Sequence, residues 1–499
     1  MASLVLLVVF LVRLALHPLI IEPATAAHLT CVRMLCTEGL TLSVNFFDRI
    51  WPPLLVLLYP LGWLARFTSL STIAALNCFV AILITGAVYF CLKQARHLPS
   101  SLSFDTAALK LLPLVVIAFA NLTFNNMSAA GQLFPIFLAP FLAYLPRLGR
   151  RSFGVPAFYL MLASSLEPCL TLYLLLIVAA TYPFFVFAHR KKAIFLLFGT
   201  VVAYPALSFL LCFALDTASI GRYLDTVAYI DWLDFKNFND YLYWMEKSPD
   251  LRSAIYAIIV MLSLAMAFTI RHGRLNRLLI YSSLLGFAYF IASQILTTPF
   301  LLPMFFFAFL GFTACLRQRR LLALAVLPLV FLGSLAYVAA QEYNSLFRIK
   351  NDLSIFAEFF KDLKCERVMI LSWYPRPGFP LIEQLKLKPA LCTYVYPFMA
   401  FHHGTDSEQA RLRLLELENA FYNGINSALN SKKPPTLLLI EDGDIRQRLE
   451  DTGVMKSVYE KYVQMASLSP NSQDELDKHP CFEYPGYRNT FSAFMLTKE

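Results

Sequence analysis

From Ser3 to about Ala340 the chain passes through one apolar stretch after another, most of them near the length that crosses a lipid hydrocarbon core. A core about 30 Å thick takes roughly 20 apolar residues in a helix, which satisfies its own backbone N–H and C=O groups where no water is present. The runs are Ser3 to Ile21, Ser71 to Leu92, Ala107 to Ala120, Leu133 to Leu145, Gly154 to Ala188, Ile194 to Leu215, Ala254 to Ile270, Leu278 to Leu316 and Leu321 to Ala340. Gly154 to Ala188 and Leu278 to Leu316 are too long for one helix each. Proline lacks the N–H that continues a helix ladder, so Glu167-Pro168 and Thr298-Pro299 divide them. With 58% hydrophobic and 15% charged residues, a 499-residue chain has too few polar groups to cover a soluble surface. The expected fold class is a polytopic α-helical membrane protein with about 11 transmembrane helices.

After Gln341 the character changes. The sequence becomes charged, so residues 1–340 are expected to form the transmembrane domain and residues 341–499 a small soluble α/β domain. "ERVMILSWYPRPGFPLIEQLKLKPALCTYVYPF" reads as strand, helix and strand, and "PPTLLLIEDGD" as a buried strand running into an acidic loop. At the other end, the first apolar run followed by "EPATAAH" has the outline of a cleaved secretory signal. It lacks a basic leader and Arg13 interrupts its apolar core, so an uncleaved first span is expected.

Basic residues set the topology. "NFFDRIWPPLLVLLYPLGWLARF", Asn45 to Phe67, is apolar enough to raise the question of whether it crosses. If it does not, and the N-terminus is cytoplasmic, then Lys93/Arg96, Arg147 to Arg151, Arg190 to Lys192, Arg271 to Arg277 and Arg317 to Arg320 all lie inside. That is the distribution the positive-inside rule demands; a crossing segment would put every one of them outside. Pro52, Pro53 and Pro60 also suit a helix lying at the interface. The outer face then receives the loop 22–70, residues 121–132, the turn at Glu167, the loop 216–252 and the C-terminal domain. The net charge of +9 is accounted for by these topology clusters, and no nucleic-acid partner is expected.

The ten cysteines include no CxxC pair and no tight Cys/His cluster, which argues against zinc. Cys31, Cys36, Cys365, Cys392 and Cys481 fall outside the spans, and their pairing is not legible from spacing. Polar chemistry gathers on the outer face, whereas transporters and channels usually need polar groups within their spans.

Glu22 directly after the first span, and Asp48 four residues before Pro52 in the aromatic "NFFDRIWPPL" stretch, resemble the GT-C superfamily of integral membrane glycosyltransferases. "AAGQLFPIFLAPFLAYL" and "LASSLEPCLTLYLLL" resemble segments of uncharacterised bacterial members. This chain departs from them at Leu133, Phe134 and Pro135, where charged residues are usual, and at Glu167, where lysine is usual. The tail resembles the small outer α/β domain of the same proteins. The resemblance implies a bacterial inner membrane protein with a periplasmic C-terminal domain, similar to the mannosyl- and aminoarabinose-transferase type. It implies transfer of a sugar from a polyprenyl-phosphate donor to a glycan, lipid or protein acceptor, with inversion.

Such transfer needs a base for the acceptor hydroxyl and positive charge or a metal for the departing phosphate. The resemblance makes Glu22 the first candidate for the catalytic carboxylate or a ligand to divalent magnesium or manganese; a solvated acid at a helix end is the plain alternative. Asp48 is the second, against a simple pairing with Arg49. Arg49, Arg66 and Arg222 are candidates for donor phosphate, because guanidinium forks suit phosphate oxygens and all three lie on the outer side. Glu167 and Gln132 complete the set, each with a structural role as its alternative. The Asp- and aromatic-rich loop 216–252 suits either an acceptor sugar or an interfacial belt. His402, His403 and Asp406 suggest metal only faintly, and Asp442-Gly443-Asp444 after a strand reads as a turn. The sequons at Asn121 and Asn126 have no role in a bacterial chain. Two other readings stay open: a lipid-linked glycan polymerase, ligase or flippase, and a non-catalytic membrane scaffold.

Overall fold

The structure, a computed structural model, describes residues 2–16, 23–38, 51–68, 70–98, 104–122, 124, 130–145, 153–166, 168–180, 190–213, 356, 358–360, 363, 365–372, 378–391, 408–468 and 490–497. The apolar runs in this range are helices: α1 (Ala2–Leu16), α4 (Thr72–Arg96), α5 (Phe104–Leu122), α6 (Ala130–Tyr144), α7 (Gly154–Ser164), α8 (Pro168–Ala180) and α9 (Arg190–Phe213). Two further helices, α2 (Pro23–Glu38) and α3 (Pro52–Phe67), lie between α1 and α4 in the chain. The runs after 213 that were read as spans, Ala254 to Ile270, Leu278 to Leu316 and Leu321 to Ala340, lie outside the described residues.

Among the described residues, α4 is the helix both long and apolar enough to cross a bilayer, and the others form shorter apolar helices. Its ends follow from sequence. Ser71 accepts from the Ala74 N–H at 3.1 Å as N-cap, and Lys93 and Arg96 sit in the last turn, where the helix dipole favours cations. The expected division at Glu167-Pro168 is present as the gap between α7 and α8. Hydroxyls serve the carbonyls that this break frees: Ser165 donates to Leu162 O at 2.6 Å and Thr171 to Ser164 O at 2.8 Å.

Contacts along α1 and α5 fix the sense of the first helices. Asn121 donates its amide to Leu6 O at 3.2 Å, while Phe124, just beyond α5, packs on Phe10 at 5.4 Å and lies under the Arg13 guanidinium at 4.2 Å. Moving up α5 therefore moves up α1, and the two run in the same sense where they touch. The link 97–103 reaches at most about 25 Å when extended, shorter than the roughly 37 Å length of α4, so α4 and α5 are antiparallel. The chain from 17 to 71, which contains α2 and α3, thus leaves and re-enters the bundle at the same end.

The C-terminal domain is a mixed sheet of β1 (Arg367–Leu371), β2 (Lys388–Pro389), β3 (Leu437–Glu441), β4 (Tyr462–Leu468) and β5 (Phe491–Leu496) in the order β2-β1-β3-β5-β4. The strands β2, β1 and β3 are parallel, with Val368 opposite Leu437 and Leu371 opposite Ile440; β5 runs antiparallel to both β3 and β4. Both faces are covered, which is why β3 reads as an unbroken apolar run. On one face Met369, Leu371, Leu438, Ile440 and Phe494 meet α11 (Glu408–Leu429), α12 (Asp444–Asp451) and α13 (Val454–Lys461). On the other, Val368, Leu437, Leu439 and Ala493 meet Phe356, Phe360 and the short helix α10 (Gly378–Gln384) with its Leu381 and Ile382. The Asp442-Gly443 pair is a turn, as its position after β3 suggested: Gly443 has φ +93°, a conformation side chains rarely adopt.

Tyr462 seals the sheet edge by donating to Pro435 O at 2.9 Å, and burial raises its phenol from 10.0 to about 12, against a smaller opposing effect of Arg367. The folded protein keeps this proton longer than the unfolded chain. Its contribution is whole below pH 10 and is lost as pH rises from 10 towards 12. The difference in unfolding free energy between wild type and Tyr462→Phe, followed by denaturant titration across that window, should shrink with pH.

Candidate active site

The helix α2 is the centre of the polar region at this end of the bundle. Its sequence, PATAAHLTCVRMLCTE, is neither apolar enough for lipid nor charged enough for water, and nearly every described side chain on it is buried. It packs against α3 on one side and against α10 of the C-terminal domain on the other. Such a helix needs partners for its polar groups wherever it is buried.

Toward the C-terminal domain, one carboxylate oxygen of Glu383 in α10 accepts from Thr30 at 3.1 Å and from Arg33 Nε at 3.1 Å. A second nitrogen of Arg33 donates to Leu387 O at 2.7 Å. Thr30 and Glu383 are fully buried side chains, and Arg33 is nearly so. The other oxygen of Glu383 is buried with no hydrogen-bond partner among the described residues.

Toward α3, Gly62 allows close approach: a Cβ there would stand 2.5 Å from Val32 Cγ1, 2.9 Å from Cys36 Sγ and 3.1 Å from Val32 O. His28 accepts the Trp51 backbone N–H at Nε2, 3.2 Å away, which places the proton of the neutral ring on Nδ1. At the opposite end of α3, Arg66 donates to Cys36 O at 2.6 Å, among the last carbonyls of α2, and lies 5.2 Å from the Trp63 ring centre. Burial raises the Cys36 thiol, opposed by a hydroxyl contact from Tyr59 and by the Arg66 charge. The start of α3 reaches the bundle through Tyr204, which donates to Pro53 O at 3.0 Å, and through Phe209, 5.4 Å from the Trp51 ring. The Trp51 indole N–H is buried with no partner among the described residues.

Of the residues singled out from sequence, Arg66 is placed at the α2–α3 seam with its side chain largely exposed. Gln132 falls in the first turn of α6. Glu22, Asp48, Arg49, Glu167 and Arg222 lie outside the described residues, as do the loop 216–252 and His402, His403 and Asp406. In sequence, Glu22 directly precedes α2, and Asp48 and Arg49 shortly precede Trp51. Both carboxylates expected to hold a divalent cation are therefore outside the range. Among the described residues no group of three or more His, Cys, Asp or Glu side chains comes together. Asp442 is engaged internally, accepting from Ser492 at 2.7 Å and Arg446 at 3.2 Å. Sequence reasoning did not select His28, Thr30, Arg33 or Glu383. The available signal was Arg33 itself, a cation within a helix of mostly small and apolar residues.

Gly62→Val should lower stability by about 1–3 kcal/mol by forcing α2 and α3 apart. His28→Ala should cost about as much by orphaning the Trp51 N–H, with His28→Gln costing less. Thermal unfolding of the purified protein in detergent measures all three.

Neither a protein-family model nor a curated protein matches the sequence. Solved structures of an oligosaccharyltransferase from the archaeon Archaeoglobus fulgidus superimpose along most of the chain. The complex of AglB with an inhibitory peptide and a dolichol-phosphate is 11% identical with TM-score 0.43, covering 91% of this chain and 70% of its own. The form tethered to an acceptor peptide containing the NVT sequon is 11% identical with TM-score 0.42, covering 95% and 74%. The form with zinc and sulfate is 12% identical with TM-score 0.40, covering 92% and 69%. At this identity and degree of superposition, these likenesses assign no activity to the chain.

Proposed function

We propose that the chain is an integral membrane glycosyltransferase of GT-C type that takes a sugar from a polyprenyl-phosphate donor and passes it to a glycan, lipid or protein acceptor outside the membrane. The observation that carries this reading is the placement of α2 and α3. The chain leaves and returns at one end of the bundle, and α2 packs between α3 and the C-terminal domain. That is the organisation expected if Pro52–Phe67 does not cross, and it supports an outer face built from the first loop and the C-terminal domain together. The positive-inside distribution supports a cytoplasmic N-terminus.

In this mechanism Glu22 or Asp48 accepts the proton of the acceptor hydroxyl as its oxygen attacks the anomeric carbon from the face opposite the phosphate. The bond from that carbon to the phosphate oxygen breaks, and the polyprenyl phosphate leaves with the bonding pair. Arg49, Arg66 and Arg222 meet its charge. The described geometry supports one part of this. Arg66 is an exposed residue that has used one N–H on Cys36 O and has others to offer a phosphate oxygen. Glu22 and Asp48 are the carboxylates that would hold magnesium or manganese, which would stabilise the departing phosphate.

The test is transfer of radiolabelled sugar from a panel of polyprenyl-phosphate donors by membranes holding matched amounts of wild type, Glu22→Gln and Asp48→Asn. Transfer by wild type should fall at least a hundredfold in Glu22→Gln. Transfer that survives both substitutions removes these residues from the site. No transfer by folded wild type from any donor returns the chain to the scaffold reading, and extension of a lipid-linked glycan in place of sugar transfer returns it to the polymerase reading.

A further inference from the structure

An ion pair between Arg33 and Glu383 joins residues 350 positions apart, and it sits where the C-terminal domain meets the first loop. Three features set it apart from an ordinary surface bridge. Glu383 has a fully buried side chain and Arg33 a largely buried one. A single oxygen of Glu383 takes both side-chain donors, Thr30 and Arg33, while the guanidinium also reaches the Leu387 carbonyl beyond α10. The second Glu383 oxygen is buried without a partner among the described residues. Removing two charges from water and leaving one lone-pair set unmet is costly, and a packed apolar pair would usually serve stability as well. The arrangement makes better sense as a means of specifying one docked position than as a means of adding stability.

Its location indicates what that position governs. On α2 the partners of Glu383 are Thr30 and Arg33; nearer its start is His28, which holds the Trp51 backbone, and at its end is Cys36, which holds Arg66. In sequence, Glu22 directly precedes this helix, and Asp48 and Arg49 shortly precede Trp51, which His28 holds. A shift of α2 by a fraction of a turn therefore disturbs its contacts with both ends of α3 at once.

We infer that Glu383 and Arg33 are positioning residues: their buried ion pair clamps α10 of the C-terminal domain onto α2 and so holds the first loop in its working place. The purpose of the clamp rests on the glycosyltransferase reading above; its existence does not.

Hydrogen exchange of the purified full-length protein, read by mass spectrometry, tests it. In Arg33→Met and Glu383→Met, amides in peptides 23–38, 51–68 and 378–391 should exchange at least tenfold faster, while peptides from α5, α6 and β3 keep wild-type rates. Arg33→Lys should fall between these and wild type, and Arg33→Met/Glu383→Met should show less than the product of the two single effects. Unchanged exchange in the three segments, or equal acceleration throughout the molecule, overturns the clamp. Where wild type transfers sugar, kcat should fall at least tenfold in both single variants with donor KM changed less than twofold, and an unchanged kcat overturns the positioning role. Wild type that shows the exchange pattern but no transfer counts against the glycosyltransferase reading alone.

Discussion

A buried backbone must satisfy its own N–H and C=O groups, and the apolar helices of the bundle meet that constraint. Even its interruptions obey it. At the break between α7 and α8, Ser165 and Thr171 return hydroxyl donors to the carbonyls released there. Arg13 within α1 is accommodated by donating to Asn121 O at 3.1 Å and lying over Phe124. Polar groups in this part of the molecule are tolerated only where another part of the chain meets them.

The same rule, applied at the end of the bundle, produces the opposite composition. The helix α2 is buried by protein rather than by lipid, so it can carry His28, Thr30 and Arg33, provided each finds a partner on α3 or α10. A helix that is buried and polar together belongs between two folded parts, and α2 has the bundle side on one flank and the C-terminal domain on the other. The C-terminal domain is tied to the bundle by the element that opens directly after Glu22.

Much of the fold was legible in the sequence because local physics decides it. Apolar length, the proline at 168, the Ser71 cap and the basic last turn of α4 mark their helices without reference to anything distant. Strand β3 could be read from LLLIE because a strand covered on both faces has no polar alternation. The antiparallel β4–β5 pair was not anticipated: Tyr462–Leu468 alternates weakly and most of its side chains are exposed, so its only strong signal is the neighbour it pairs with. For the site, Arg66 was selected as an outer-side cation and stands at the α2–α3 seam, whereas His28 and Glu383 carry no local mark. A histidine in an alanine-rich helix and a glutamate in a short one look like any others until their partners are known.

The amino-acid sequence by itself determined the lipid-compatible character of residues 1–340, the positions of most helix ends and the change to an α/β domain, since hydropathy, proline chemistry and capping act over a few residues. It also determined which segments are rich in acids, arginines and aromatics. Only the tertiary structure decided that α2 packs between α3 and α10, that Gly62 permits a contact no other residue would, and that Arg33 meets Glu383 across 350 positions. These are contacts between surfaces distant in the chain, and their stability depends on shape and on the removal of water from both partners together. No property of either segment alone encodes that removal.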